Sequence, residues 1–247
     1  MNKNKAELTA WYIYHSGTAV FNHRTKSLHI FDFYRQEGKD FPGVWQEEIS
    51  AENTYIYVSH GHGDHFNSEI FSWSDRLPAV RYILSHDLKT KRSIPGSDDI
   101  DIYYMKPGDA LNLHNIKLNA HPSTDEGVSF MIREGNAGIF HAGDLNWWDW
   151  KSFSAAERKQ EEKEFKDAVN QLEKYRIDLA FVPVDPRLEE SFYLAGEHFI
   201  KTINPSVFIP IHWQNNFDIV SRFKGKIDTG STRVPEINRP GQKIHIH

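Results

Sequence analysis

Six residues, His60-Gly61-His62-Gly63-Asp64-His65, set three imidazoles and a carboxylate directly after the strand-like run Thr54-Tyr55-Ile56-Tyr57-Val58, and they limit the fold more than any other stretch. Neutral imidazole nitrogens and a carboxylate oxygen suit Zn²⁺ and its borderline neighbours, and water bound to such a cation ionises near pH 7. Two glycines let the backbone turn tightly enough for alternate side chains to converge. On a flat strand His60, His62 and Asp64 share one face and His65 the other. A bend after the strand removes that separation, so one pair can hold one cation and the other pair a second. The bland alternative is a His-rich surface turn or a lone structural metal site. Four ligand-type residues interleaved in this way on the end of an apolar strand rarely arise from composition alone.

The chain has no cysteine, which removes disulfides and thiolate ligands together. Any further ligand must be His or carboxylate. The other runs that deliver such residues are Ile139-Phe140-His141-Ala142-Gly143-Asp144 and Val207-Phe208-Ile209-Pro210-Ile211-His212, each an apolar strand ending in a ligand-type side chain.

The surrounding pattern supplies the scaffold. Trp11–Tyr14, Thr18–Phe21 and Ser27–Tyr34 read as an antiparallel meander broken by Ser16-Gly17 and Asn22-His23-Arg24, and the pattern lapses into a loop around Lys39–Gly43. After the motif, Asn67 is placed to cap a short helix through Trp73, and Val80–Ser85 is the next strand. Ligand sites in such β-loop-helix-β units gather at the carboxyl ends of strands. Short strands resume from Asp101 to Phe140, with Gly135–Gly138 as a hairpin turn. A capping box at Ser154–Glu157 opens a helix expected to run to about Tyr175. Leu179–Val184 is a buried strand, Phe192–Ile203 a helix, and Lys243–His247 a terminal strand. Two β-rich halves with helices outside them imply an α/β (α+β) four-layer αββα sandwich, formed by one domain spanning 1–247.

The motif resembles the HxHxDH signature of the metallo-β-lactamase superfamily, and Gly143-Asp144 and His212 extend the likeness in the right order. The resemblance implies that His60 and His62 hold a first metal, that Asp64, His65 and His212 hold a second, and that Asp144 bridges both. It implies two divalent ions, with Zn²⁺ the first expectation and Mn²⁺ or Fe the alternatives. The superfamily's remaining His falls on Ser123. The nearest His, His121, lies two residues earlier, about 6.6 Å along an extended chain. His121, Asp125 and water are therefore the three candidates for that ligand, and the first site is expected to be weak or empty without one.

Around the site, Trp147, Trp148, Trp150 and Trp213 are placed to rim a pocket, with Trp147 or Trp213 expected to face the substrate. Ser123, Asp125 and Asp185 are further pocket candidates. His141 is read as a second-layer donor or a bystander, and His86 and His198 as structural.

The leading expectation is a metal-dependent hydrolase in which a metal-bound hydroxide attacks a small ester, lactone or thioester and Asp64 is both ligand and proton acceptor. A phosphodiesterase or nuclease of the same fold and a non-catalytic metal-binding domain are the rivals. A net charge of -5 argues against a broad nucleic-acid surface. Lys89-Thr90-Lys91-Arg92, the one compact basic run, reads as a solvated helix or loop. Neither a signal-like leader nor a membrane-length apolar run is read, so a cytoplasmic protein with a small-molecule substrate is expected, its oligomeric state left open.

Overall fold

The computed structural model describes residues 7–35, 50–95 and 100–246. The loop read around Lys39–Gly43 lies outside them, as does His247.

Two sheets face each other. In the first, β1 (Leu8–Tyr14), β2 (Gly17–Asn22) and β3 (Ser27–Phe31) form the expected antiparallel meander. The sheet continues in parallel through β4 (Asn53–Val58), β5 (Val80–Ser85) and β6 (Asp101–Met105). In the second, β7 (Ala110–Leu113), β8 (Ile116–Pro122), β9 (Val128–Glu134) and β10 (Ala137–His141) run antiparallel. β11 (Leu179–Pro183) and β12 (Val207–Ile211) then add in parallel. The C-terminal strand β13 (Gln242–Ile246) pairs with β1 at the margin of the first sheet, where a terminal strand was expected.

Period-two alternation sorts β1 between two cores. Leu8, Ala10 and Tyr12 point between the sheets toward residues such as Phe130 and Phe140. Trp11 and Ile13 point outward onto Ile70, Trp73 and Leu88, from the 3₁₀ helix Ser68–Asp75 and the short helix α1 (Leu88–Lys91). Asn67 caps the 3₁₀ segment through its side chain, as its position suggested. The outer face of the second sheet carries α2 (Ala155–Asn170), α3 (Leu194–Ile203) and α4 (Asp218–Lys226). This is the four-layer αββα sandwich, each fully buried large apolar side chain contributing about 1.5–3 kcal/mol.

Two helices depart from expectation. The capping box at Ser154 and Glu157 is present, but α2 stops at Asn170. Turns close from Leu172 N–H to the Val169 carbonyl and from Tyr175 N–H to the Leu172 carbonyl, which swings Leu172 into the core. Helix α4 was not read from the sequence. Its buried side chains, Ile219, Val220 and Phe223, are too few amid charges to make a clear stripe. Among the described residues no helix is long and apolar enough to cross a membrane.

The parallel strands β3, β4, β10, β11 and β12 all end at one rim of the sandwich, and Asp32, Ser59-His60, Asp144, Asp185 and His212 follow those ends. Parallel sheets place their ligand sites there.

Candidate metal centre

The His-rich loop is shaped by contacts from three directions. Gly61 N–H donates to Asp87 (2.8 Å), and Arg92 Nε donates to the Gly61 carbonyl (2.7 Å), so the basic run at 89–92 clamps the motif rather than simply facing solvent. Lys91 pairs with Glu126 on the opposite loop. Behind the loop, Gly127 and Gly143 press on Ser59. A Cβ on Gly127 would sit 2.0 Å from the Ser59 carbonyl oxygen, one on Gly143 would sit 2.6 Å from Ser59 Cβ, and both residues have positive φ. Only glycine combines that backbone with that proximity.

Ligand-type atoms gather in two groups, each within 4.8 Å: His60, His62, Asp125 and Asp144, and His15, Asp64, His65 and His212. Asp144 stands between them. Its Oδ2 lies 3.7 Å from His60 Nε2, while its Oδ1 lies 3.1 Å from His65 Nε2 and 3.3 Å from His212 Nε2. A carboxylate with one oxygen turned to each group has the geometry of a bridge.

The imidazoles are oriented from behind. His60 Nδ1 bonds Ser59 Oγ (3.0 Å), which donates to Asp32 (2.7 Å); His65 Nδ1 bonds Asp32 (2.9 Å); His212 Nδ1 bonds Asp185 (3.0 Å). With these bonds made through Nδ1–H, each Nε2 faces the centre, the arrangement typical of metal-binding histidines, and a cation there would replace the Nε2 protons that His65 and His212 turn toward Asp144. Asp32 is fully buried and also takes the Ser59 N–H at 2.7 Å. Buried His141 bonds the Ser16 carbonyl through Nε2 (3.0 Å) and receives the Gly143 N–H at Nδ1 (3.1 Å), which fixes it as a neutral bridge between the sheets.

The electrostatics agree. Burial alone would raise the Asp144 carboxyl, but the charges of His212 and His65 outweigh it and hold the group well below the usual carboxylate range. Burial would lower His65, yet Asp144 and Asp32 raise it well above the ordinary imidazole value. His212 follows the same pattern, carried up to about 9 by Asp144 and Asp185. Burial and the Asp144 charge push the Asp125 carboxyl up. His65 Nε2, Asp144 Oδ1 and both nitrogens of His15 are buried with no hydrogen-bond partner, though they face one another. Orphaned buried polar atoms are costly and rare. Donors of these types, converging this closely, fit divalent cations.

The structure brings together His60, His62, Asp64, His65, Asp144 and His212, the residues carried over from the resemblance, and of the two candidate side chains for the open position it places Asp125, not His121, beside them. His121 is still inside the β8 ladder, paired with Ser129, and its ring lies edge-on to Tyr175, 5.5 Å away. The chain turns only after Pro122, which carries Asp125 Oδ2 to 3.6 Å from His62 Nδ1. Ser123 stays behind as the acceptor for Asp125 N–H (3.2 Å).

A cleft of about 370 Å³ opens onto the centre, bounded by Asp64, Asp144, Trp148, Trp150, Phe153 and Arg187. Trp148 and Trp150 lie parallel with centroids 5.7 Å apart, and the Arg187 guanidinium sits over Trp150. Trp147 is not in this wall. Backbone bonds from Asp149 N–H to the Trp147 carbonyl and from Trp150 N–H to the Trp148 carbonyl coil the segment, and Trp147 turns toward Phe165 and His198 instead. Trp213 is buried flat against Tyr12 (4.2 Å) and only edges a second cavity behind His212. Asp185 is buried there too, held down to about 2 against the effect of burial by His212 and Arg187.

Sequence reasoning missed His15, Asp32 and Arg187. His15 and Asp32 stand alone in their stretches and gain partners only through the end-to-end alignment of strands, whereas Arg187 bonds Asp185 two residues away and no spacing shows that it borders the cleft.

No family model matches the chain. It is 24% identical over 217 residues to a UPF0173 metal-dependent hydrolase of Desulforamulus reducens, covering 81% of this chain and 85% of that protein. A UPF0173 metal-dependent hydrolase of Rhizobium johnstonii is 26% identical over 244 residues, covering 93% and 97%. Among solved structures, Igni18, a metallo hydrolase from Ignicoccus hospitalis, superposes with a TM-score of 0.67 at 17% identity over 98% of this chain and 99% of its own. The metallo-β-lactamase fold protein YhfI from Bacillus subtilis gives 0.61 at 11% identity over 97% and 99%. CmlA, a diiron β-hydroxylase from Streptomyces venezuelae, gives 0.62 at 11% identity over 99% of this chain and 55% of its own. The chain therefore has the metallo-β-lactamase fold, an architecture that hosts more than one chemistry.

Proposed function

We propose that this protein is a metal-dependent hydrolase of the metallo-β-lactamase superfamily that acts on a small, negatively charged substrate with two divalent cations of the zinc class. The observation that carries the reading is Asp144, buried between two ligand groups with one oxygen turned to each. The relatives named as metal-dependent hydrolases support it.

The outer cation would be held by His60, His62, Asp125 and Asp144, and the inner one by Asp64, His65, His212 and Asp144. Such a pair supplies an acidified water and a Lewis acid for the scissile oxygen. The remaining work falls to side chains. Asp32 and Asp185 hold His65 and His212 in register through their Nδ1 atoms. Asp64 lines the cleft with 44% of its side chain exposed, where it would be placed to take up the proton of an attacking water. Trp148 and Trp150 exclude bulk solvent along one wall.

Arg187 sets the charge of the substrate. Among the described residues it is the one Lys or Arg bounding the cleft, with Asp64, Asp125, Asp144 and Glu161 around it, and Asp185 fixes its guanidinium. A carboxylate-bearing ester, lactone or thioester meets that requirement. Arg187 also favours a second reading, a phosphoester whose own phosphoryl group is the anion. The size of the cleft and the acidity of its rim exclude a nucleic-acid duplex from the proposal, and we place the protein in the cytoplasm.

The experiment is a hydrolysis screen of lactones, thioesters and a generic phosphodiester, with metal content measured in parallel. We expect bound divalent metal, turnover of one anionic class, and loss of turnover in His62→Ala and Asp144→Ala. Arg187→Ala should raise KM for that substrate about tenfold or more, the worth of one charge-assisted hydrogen bond. Undiminished turnover in metal-stripped wild type would overturn the reading.

A further inference from the structure

The turn between β1 and β2 carries an imidazole that the ligand set above does not use. His15 is buried at 2% exposure, its φ is +57°, and neither ring nitrogen has a hydrogen-bond partner. An ordinary buried histidine satisfies at least one nitrogen. The left-handed backbone is costly for a residue of this kind, and it persists here because both sides are pinned. Its N–H donates to the Tyr12 hydroxyl (2.9 Å), and its carbonyl accepts the His212 N–H (3.0 Å).

That backbone aims the ring at the inner group. The His15 ring centre lies 4.0 Å from that of His212 and 5.7 Å from that of His65, and its Nε2 is 3.3 Å from Asp64 Oδ2. Ligand atoms each about 2.1 Å from one cation stand roughly 3–4 Å apart; the 3.3 Å from His15 Nε2 to Asp64 Oδ2 lies in that range, and one ligand atom from each of His15, Asp64, His65 and His212 lies within 4.8 Å of the others.

We infer that His15 is a fifth ligand of the inner cation, giving that site three imidazoles and two carboxylate oxygens from Asp64 and Asp144. This rests on the two-cation reading above and goes beyond it. The outer group has two imidazoles and two carboxylates, and His62 and Asp125 are exposed. The two sites therefore differ in kind. The inner one is buried, nitrogen-rich and suited to a borderline transition metal such as Zn²⁺ or Co²⁺, and it fills first. The outer one is oxygen-rich, more open and exchanges first.

The test uses Co²⁺ as the probe on metal-stripped full-length protein, followed by its visible absorption and by hyperfine-shifted imidazole N–H resonances. In wild type the first equivalent should bind tighter than the second and shift three imidazole N–H signals. His15→Ala and His15→Gln should weaken that first equivalent at least about tenfold, change its absorption, and leave the second unchanged. Asp125→Asn should do the reverse. Two shifted imidazole signals at one equivalent of wild type, or an unaltered first equivalent in folded His15 variants, would overturn the assignment. The resonance count needs no variant, so it decides the matter even if both substitutions unfold the chain. Absence of any Co²⁺ binding would instead overturn the two-cation reading itself.

Discussion

Asp32 shows how one residue can matter without touching a reacting atom. It sits just past β3 at φ +43°, and its two oxygens collect Ser59 N–H, Ser59 Oγ–H and His65 Nδ1–H. Asn tolerates the same left-handed backbone, so Asp32→Asn isolates the charge. We expect a folded protein whose metal affinity is lower by about 10–100-fold, measured by competition with a chelator; an unchanged affinity would mean that Asp32 only packs. Gly127→Ala should be far more disruptive. A methyl group 2.0 Å from the Ser59 carbonyl forces the loop away from the motif, and we expect a loss of about 3 kcal/mol or more in urea unfolding. At this scale the sequence was partly legible. His60 to His65 announced themselves because six adjacent residues carried the chemistry, whereas His15, a lone imidazole before Ser16-Gly17, drew no reading. Asp125 rather than His121 lies beside His62 for a reason no spacing rule exposes, since the placement turns on where β8 stops.

Among the elements, α1 is the smallest and the most tightly tied to the centre. Its leading Asp87 and trailing Arg92 grip the two ends of the Gly61 peptide. Asp87→Ala frees one of them, so the loop carrying His62 should loosen. Hydrogen exchange at Gly61 should quicken, and the second metal equivalent should weaken while the first does not. An equal effect on both equivalents would show instead that the loop moves as one body. Strands were the readable part of this chain. β4, β10, β11 and β12 each stand out as apolar runs with a polar stop, and the ends of β10 and β12 located Asp144 and His212. Pairing direction was legible in the β1–β3 meander, where short turns join the strands, but not at β5 and β6, because parallel and antiparallel neighbours share the same apolar alternation once both faces are buried. The Trp147–Trp150 coil was equally hidden, and with it the identity of the indoles in the cleft.

Across the whole molecule the sandwich has a polar knot at the end of β9 away from the centre. Glu134, fully buried between the sheets, accepts from Asn22 (2.8 Å) and pairs with His29 (3.1 Å). Burial would raise its carboxyl, but His29 and the hydrogen bonds outweigh burial and hold it below the ordinary value. A group whose pKa is depressed on folding stabilises the fold above its unfolded value, about 4.3 for glutamate, and loses that contribution as pH falls below it. Glu134→Gln should therefore lower stability by about 1–3 kcal/mol at pH 7 and flatten the decline below about pH 4, read from urea midpoints across a pH series. An equally steep acid decline in the variant would place the acid-sensitive groups elsewhere. Chelation should act through the opposite end. Each tenfold excess of metal over its Kd adds about 1.4 kcal/mol, or about 3–5 °C in Tm for a chain of this length.

The bond from the His212 amide to the His15 carbonyl joins the end of β12, in one sheet, to the β1–β2 turn of the other. With His141 reaching across to Ser16, it makes the rim of the sandwich a clasp. Anything that pries the layers apart at this edge separates donors drawn from both of them, so the ions and the seam should give way in a single event. Divalent cations here would act as rivets for the architecture as well as tools for chemistry, and thermal melting of the loaded protein should coincide with their release.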